Sequence, residues 1–255
     1  MGVLLSEWIS INGLQLFIIG VIAAIIGVMF GAAGFILLPA MLLVGVPIHT
    51  TVAINKFATG VSALSNVITF IVKRNISIQT VIPLIIISSF GGVMGAFFAT
   101  RLSEQIMNVI ACIILIFAFF IVVKSNKFLA ADEKETEVQP TSLAIPFLIS
   151  MYDGGFGPGS ALMNITYYLK KHYLYIKAVE FTRIISFSSC SGAFVFYYFL
   201  GIMNWGIAIP VTVGSIFGSF IGLKILPYMK GKWIQTLLPI IFFLLIVQVV
   251  SDLLF

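Results

Sequence analysis

The sequence predicts an all-α polytopic membrane protein made of two inverted repeats, each a glycine-broken helical hairpin followed by three transmembrane helices. Three observations carry that prediction. The 255 residues are 60% hydrophobic and 9% charged, with a mean hydropathy of +1.16, which is more apolar surface than a soluble fold can bury. Two glycine-rich interruptions, Gly27-Val-Met-Phe-Gly-Ala-Ala-Gly34 and Asp153-Gly-Gly-Phe-Gly-Pro-Gly159, cut hydrophobic stretches at matching places in the two halves. Finally, the basic residues gather on one face only if each broken stretch turns back on itself.

In chain order, Met1 to Gly13 holds Glu7 and no Lys or Arg, so no removable signal segment is expected. The first repeat covers residues 1–124. It opens with the hairpin 14–46 and continues through apolar runs at 52–72, 78–99 and 105–123, each close to the roughly 17 to 25 residues that cross a bilayer core as a helix. Residues 125–141 form a linker whose stretch Ala131-Asp-Glu-Lys-Glu-Thr-Glu-Val-Gln-Pro140 has the polar composition of a solvated loop. The second repeat covers 142–255, with the hairpin 142–169 and spans at 179–199, 205–223 and 233–250. The arm from Leu14 to Met29 would be about 24 Å long as a helix and that from Leu143 to Tyr152 about 15 Å, so the second is too short to cross alone.

The duplication is visible as a nearly constant offset. Gly31 to Gly157 is 126 positions, Ala53 to Ala178 is 125, and the ladder Gly91, Gly95, Ala99 matches Gly214, Gly218, Gly222 at 123, as Arg101 matches Lys224. Small residues at four-residue spacing let helix backbones approach closely.

Charge counting chooses between two topologies. If each broken stretch crosses once, Lys73, Arg74, Lys124, Lys127 and Lys134 face Arg101, Lys170, Lys171, Lys177, Lys224, Lys230 and Lys232, and no side is favoured. If each returns as a hairpin, all of these except Arg101 share a face. The positive-inside rule then places the linker 125–141 in the cytoplasm and both termini outside a cell membrane. One hairpin plus three crossings is odd in parity, so the second copy is inverted.

The order of a Gly-rich break followed by an apolar arm with a proline, Gly27 to Gly34 then Pro39, repeated at Gly154 to Gly159, resembles the sulfite exporter TauE/SafE family of permeases over essentially the whole chain. The resemblance implies internal duplication and carriage of small sulfur-containing anions such as sulfite, sulfoacetate and related sulfonates. The chain has Gly31-Ala-Ala-Gly34 where many members have a longer polyglycine run, and Asn164-Ile165 where its own first half has Leu38-Pro39. Those departures leave the substrate open.

The breaks suit an anion on their own chemistry. A helix restarting after Gly34, or after Gly157-Pro158-Gly159, presents unpaired N–H groups and the positive end of its dipole. Pro158 is placed to begin a helix, and glycine admits a ligand where a side chain would collide. The candidate substrate-binding residues are Gly31, Ala32, Ala33, Gly34, Asn55, Lys56, Gly155, Gly157, Gly159, Ser160 and Arg183, with Thr51 as a further donor. The rival reading gives the glycines a packing role alone.

Ionisable residues inside spans are rare and usually functional. Lys56 and Arg183 would neutralise an anion, although Lys56 could snorkel to the interface and Glu180 could pair with Arg183 at i, i+3. Asp153 and Glu180 are the proton-coupling candidates. For Asp153 the alternative is a helix cap or turn. Cys112 and Cys190 are expected to be lipid-facing or packing residues, and His49 and His172 solvated loop residues.

No Ser-His-Asp set, catalytic carboxylate pair, nucleotide-binding loop or Cys/His metal set can be assembled, so neither an enzyme nor a cofactor or metal is expected. The expected partners are a small anion, the lipid bilayer and a proton as coupling ion, with a homodimer left open and no nucleic acid. The function expected is secondary transport of a small sulfur-containing anion by alternating access around a midplane site. The alternatives are a channel-like or non-transporting scaffold, or a carrier of another small organic anion.

Overall fold

A computed structural model of the chain describes residues 13–31, 33–72, 78–107, 109–110, 113 and 142–226. The linker 125–141, the span 233–250, most of the span 105–123 and both termini lie outside the described residues, as do Ala32 and Cys112. The major helices are α1 (Gly13–Phe30), α2 (Ala33–Leu43), α3 (Ile48–Val72), α4 (Ile78–Ala99), α5 (Ala144–Gly155), α6 (Ser160–Lys170), α7 (Tyr175–Phe199) and α8 (Trp205–Ile225), and no strand occurs among the described residues.

Each expected hairpin is therefore a pair of helices, α1 with α2 and α5 with α6, interrupted at the glycine clusters. Two of the long helices, over Val81–Ala99 and Trp205–Ile225, are long and apolar enough to cross a membrane. The helices α3 and α7 are more polar and run 25 residues each, about 37 Å at 1.5 Å per residue. Both begin four residues before the runs read from the sequence. His49, Thr50 and Lys177 interrupt the apolar pattern there, but helical hydrogen bonding from Thr51 N–H to the Pro47 carbonyl and from Ala178 N–H to the Leu174 carbonyl continues through them.

Polarity runs from inside to outside in the sense a bilayer requires. On α3, Thr51, Asn55, Lys56, Ser62 and Asn66 are buried, while Leu64, Ile68, Ile71 and Val72 are exposed. On α4 and α8 the exposed faces carry Ile82, Ile86, Phe90 and Phe97, and Ile209, Val213, Phe217 and Phe220. Exposed apolar area on this scale has no place in water.

The two halves interlock. Helix α1 packs chiefly on α8, α5 on α4, and α3 on α7, while α4 also packs on α7 and α8 on α3; exchanging the halves maps this set of pairings onto itself. The small-residue ladders lie in two of these contacts. A methyl added at Gly214 would meet the Phe17 carbonyl, at Gly218 the Val21 carbonyl, and at Gly222 Val28 and the Ile25 backbone, so α8 and α1 run parallel at close range. Gly91 lies against Phe147 to Met151 and Gly95 against Met151 to Gly155, so α4 and α5 do the same. Helices α3 and α7 run antiparallel, with Phe57 beside Phe194 and Gly60 beside Cys190.

The turns follow local rules. Helix α2 ends with Gly45 at φ +81, with Val46 N–H bonded to the Met41 carbonyl and Gly45 N–H to the Leu42 carbonyl, a Schellman motif. Helix α6 ends the same way around His172 at φ +65, through Tyr173 to Tyr168 and His172 to Leu169. His172 is exposed, as expected, but it is a helix-terminating residue. His49 sits in the first turn of α3, half-buried with Nδ1 unpartnered, and is not a solvated loop residue.

Candidate functional site

The two breaks meet. Gly31 at φ +70 ends α1, and Gly157 and Gly159 at φ +98 and +83 join α5 to α6, a backbone region glycine enters without penalty. A Cβ on Gly31 would stand 2.7 Å from the Leu162 nitrogen, and one on Gly34 would stand 3.2 Å from Pro158 Cα. The glycine clusters therefore do pack, but against each other. Around the contact is a cavity of about 20 Å³ lined by Gly27, Gly31, Ala33, Gly34, Asn55, Lys56, Thr59, Asp153, Gly157, Ser160, Ala161, Arg183, Ser186 and Cys190.

Ala33 and Gly34 belong to the first turn of α2, and Ser160 and Ala161 to the first turn of α6. Two helix N-termini, with their partial positive charge, thus face one cavity. Helix α2 begins at Ala33, one residue before Gly34, so the first interruption is shorter than expected. Helix α6 begins at Ser160 with Gly159 as its N-cap; Pro158 lies one residue before the cap and does not open the helix.

Two cations enter the same space. Lys56 is fully buried, and its Nζ donates to Asp153 Oδ1 at 3.0 Å, which removes the snorkelling alternative. Asp153 sits in the last turn of α5 and caps no helix in the described structure. Its carboxylate also accepts from Ser160 Oγ at 2.7 Å, from Ser189 Oγ and from Cys190 Sγ at 3.5 Å. A Cβ at Gly157 would lie 2.5 Å from Lys56 Nζ, so a side chain there would push the ammonium from its present place.

Arg183 is 3% exposed. Its Nη2 donates to the Gly27 carbonyl, which also accepts the Gly31 N–H at 2.9 Å, while its Nε is buried without a partner. No carboxylate pairs with it among the described residues, because Glu180 bonds Lys177 Nζ at 2.8 Å. The guanidinium is thus a buried charge without a counter-ion in the described bundle. The arrangement is reciprocal: Lys56 on α3 reaches the last turn of α5, and Arg183 on α7 reaches the last turn of α1. Lys56 and Arg183 are 127 positions apart and Asp153 and Gly27 are 126 apart, close to the Gly31–Gly157 offset.

Of the residues singled out in the sequence, Gly31, Ala33, Gly34, Asn55, Lys56, Gly157, Ser160, Arg183 and Asp153 come together on the cavity wall. Gly155 does not; it packs on Gly95 and Ala99 of α4. Gly159 serves the helix start, Thr51 Oγ1 donates to the Val46 carbonyl at 3.2 Å, and Glu180 lies off the wall, paired along its own helix. Sequence reasoning missed Thr59, Ser186, Ser189 and Cys190. Their signal was the three-to-four-residue spacing of polar side chains along α3 and α7. Cys190 is buried against the Asp153 carboxylate and does not face lipid.

A second chamber of about 10 Å³ adjoins the first. It is lined by Ala23, Ala24, Ala33, Leu37, Thr59, Ser62, Arg183, Ser215 and Ser219, and shares Ala33, Thr59 and Arg183 with it. Of its hydroxyls, Thr59 Oγ1 donates to Asn55 Oδ1 at 3.2 Å, Ser62 Oγ to the Thr59 carbonyl at 3.1 Å and Ser215 Oγ to the Gly20 carbonyl at 3.4 Å, while Ser219 Oγ has no partner.

A family model described as sulfite exporter TauE/SafE matches residues 16–249. Among curated relatives, a probable membrane transporter protein, ORF9, from Sinorhizobium sp is 27% identical over 241 residues, covering 93% of this chain and 92% of that protein. A probable membrane transporter protein from Haemophilus influenzae is 25% identical over 241 residues, with 93% and 94% covered. The probable membrane transporter protein YfcA from Escherichia coli is 20% identical over 229 residues, with 89% and 85% covered. No solved structure matches the chain.

Proposed function

Because the chain belongs to the sulfite exporter TauE/SafE family, we propose that it is a secondary membrane transporter for a small sulfur-containing anion, such as sulfite or an organosulfonate, working by alternating access. The observation that carries this reading is Arg183, a buried guanidinium with an unpartnered Nε and no carboxylate. An uncompensated charge in a bundle core costs several kcal/mol, and a bound anion repays that cost. Two helix N-termini and the Lys56 ammonium on the same wall add to the attraction. Glycine at 31, 34 and 157 keeps the backbone donors within reach.

A cavity of about 20 Å³ holds little more than one water, so the described conformation is closed and an anion enters only when the walls part. The reciprocal pairing of helices between halves, with α1 parallel to α8 and α5 parallel to α4, supports inverted repeats that rock against each other. Lys56 with Asp153, and Arg183 with the Gly27 carbonyl, then act as the two clasps between the broken helices and the opposite half. Asp153 is the residue we assign to the coupling proton. The charge distribution of the sequence supports a cell-membrane location with the linker cytoplasmic and the termini outside.

Reconstituted into proteoliposomes, the chain should give saturable sulfite or sulfonate flux that is lost in Lys56→Ala, and the dependence of its sulfite flux on a pH gradient should be lost in Asp153→Asn. Flux that does not saturate and ignores both substitutions would assign it a channel-like role.

A further inference from the structure

Resting on that reading, we propose that the site selects its substrate by charge: a monoanion binds while Asp153 is ionised, and a dianion binds only with Asp153 protonated. One proton then accompanies each dianion and none accompanies each monoanion.

Among the described residues, the charges that face Asp153 come from the elements packed around it. Helix α3 contributes Lys56, 3.0 Å away, and α7 contributes Arg183 on the same wall together with Cys190. Helix α6 contributes the neutral Ser160. Helix α4 presents the backbone of Gly92 and Gly95, and α1 and α2 present glycine and alanine. The titratable neighbours Cys190, Tyr152, Tyr175 and Tyr197 all act as donors, to Asp153 Oδ2 and to the carbonyls of Pro158, Met29 and Gly154, so each is neutral. What remains among the described residues is two positive charges and one negative.

A dry site is tolerable only near neutrality. With Asp153 ionised the net charge is +1, and a monoanion cancels it beside Arg183 while Lys56 stays on its carboxylate. A dianion would leave one negative charge buried. Protonating Asp153 raises the site to +2 and releases Lys56 Nζ to the substrate, which restores neutrality. The surroundings of the carboxylate permit both states. Ser160 and Ser189 hydroxyls donate to an ionised acid, and either accepts from a protonated one after a rotation about its C–O bond, whereas an ammonium cannot reverse its role. Protonation therefore displaces Lys56 specifically and costs the rest of the shell little.

The test uses the full chain in proteoliposomes with the membrane potential clamped, and two probes of fixed charge near neutral pH: methanesulfonate, a monoanion, and sulfate, a dianion. Saturable methanesulfonate flux should not change with pH. Sulfate flux should rise about tenfold per unit fall in pH while the empty site is ionised, because binding of proton and anion is linked, and a lumenal pH dye should report one proton per sulfate. Asp153→Asn should move sulfate without a proton and without pH dependence. Should that variant misfold, proton uptake by the wild-type protein in weak buffer replaces it, at one proton per sulfate bound and none per methanesulfonate. Sulfate flux that ignores pH, a proton carried with methanesulfonate, or carriage of only one charge class at every pH overturns the proposal. Absence of saturable flux for both anions would instead overturn the transporter reading beneath it.

Discussion

Lys56 Nζ and Asp153 Oδ1 lie 3.0 Å apart across 97 residues of chain, and the pair joins the long helix of the first half to the tip of the broken helix of the second. Both residues are buried. Removing one partner of a buried pair leaves the other charge stranded, at about 3–5 kcal/mol, whereas replacing both with neutral groups is often close to neutral. Lys56→Met and Asp153→Asn should therefore each lower the thermal unfolding midpoint in detergent, and the double variant should recover most of the loss. Additive losses in this cycle would mean that the contact carries no coupling energy.

Gly157 combines two demands that can be separated. Its φ of +98 disfavours any side chain, and its missing Cβ leaves room for Lys56 Nζ. Gly45, at φ +81 with open space around it, makes only the first demand. Gly45→Ala should cost about 1–2 kcal/mol, the left-handed penalty alone, and leave anion affinity unchanged. Gly157→Ala should cost more and weaken anion binding at least tenfold. Equal effects of the two in a thermal-shift and binding comparison would argue against the site at Lys56.

The glycine ladders predict a packing effect away from the site. A methyl at Gly218 would run into the Val21 carbonyl, and one at Gly95 into the Met151 carbonyl, both backbone atoms that cannot swing aside. Gly218→Ala and Gly95→Ala should each destabilise by about 1–3 kcal/mol, the usual cost of overpacking. Gly206→Ala, whose nearest neighbour would be the Asn204 side chain at 3.4 Å, serves as the matched control and should be close to neutral. A midpoint unchanged in the ladder variants would contradict the close α1–α8 and α4–α5 contacts.

Much of this architecture could be read from the chain because two signals are local. Apolar runs mark helices such as Ile78–Ala99, and glycine clusters mark places where φ turns positive, as at Gly31 and Gly157. Charged residues in apolar surroundings also announce themselves, which is why Lys56, Asp153 and Arg183 stood out. Partnership was not legible. Glu180 sits three residues before Arg183 and was a natural candidate to pair with it, but its carboxylate goes to Lys177, and Arg183 reaches a carbonyl 156 positions away. Serines were ambiguous for a different reason. Ser188 and Thr212 return their hydroxyls to carbonyls four residues back on their own helices, while Ser189 on the same helix as Ser188 reaches Asp153, and sequence alone does not distinguish these roles.

Arg183 offers the sharpest separation of stability from function. Its Nη2 bond to the Gly27 carbonyl is its sole hydrogen bond among the described residues, its Nε has none, and the guanidinium has no carboxylate to offset its burial. A hydrogen bond to a charged group returns about 1.5–3 kcal/mol, which falls short of the several kcal/mol needed to desolvate an ion. Arg183→Met keeps the unbranched apolar stem of the side chain and removes the charge, so it should raise the unfolding midpoint of the anion-free protein. The same substitution should abolish saturable anion flux and the thermal stabilisation that added anion gives the wild type. Arg183→Lys should keep part of both, since the charge remains while the planar fork is lost. A structural role for Arg183 predicts the opposite pattern, in which Arg183→Met unfolds at lower temperature and the surviving folded protein still responds to anion.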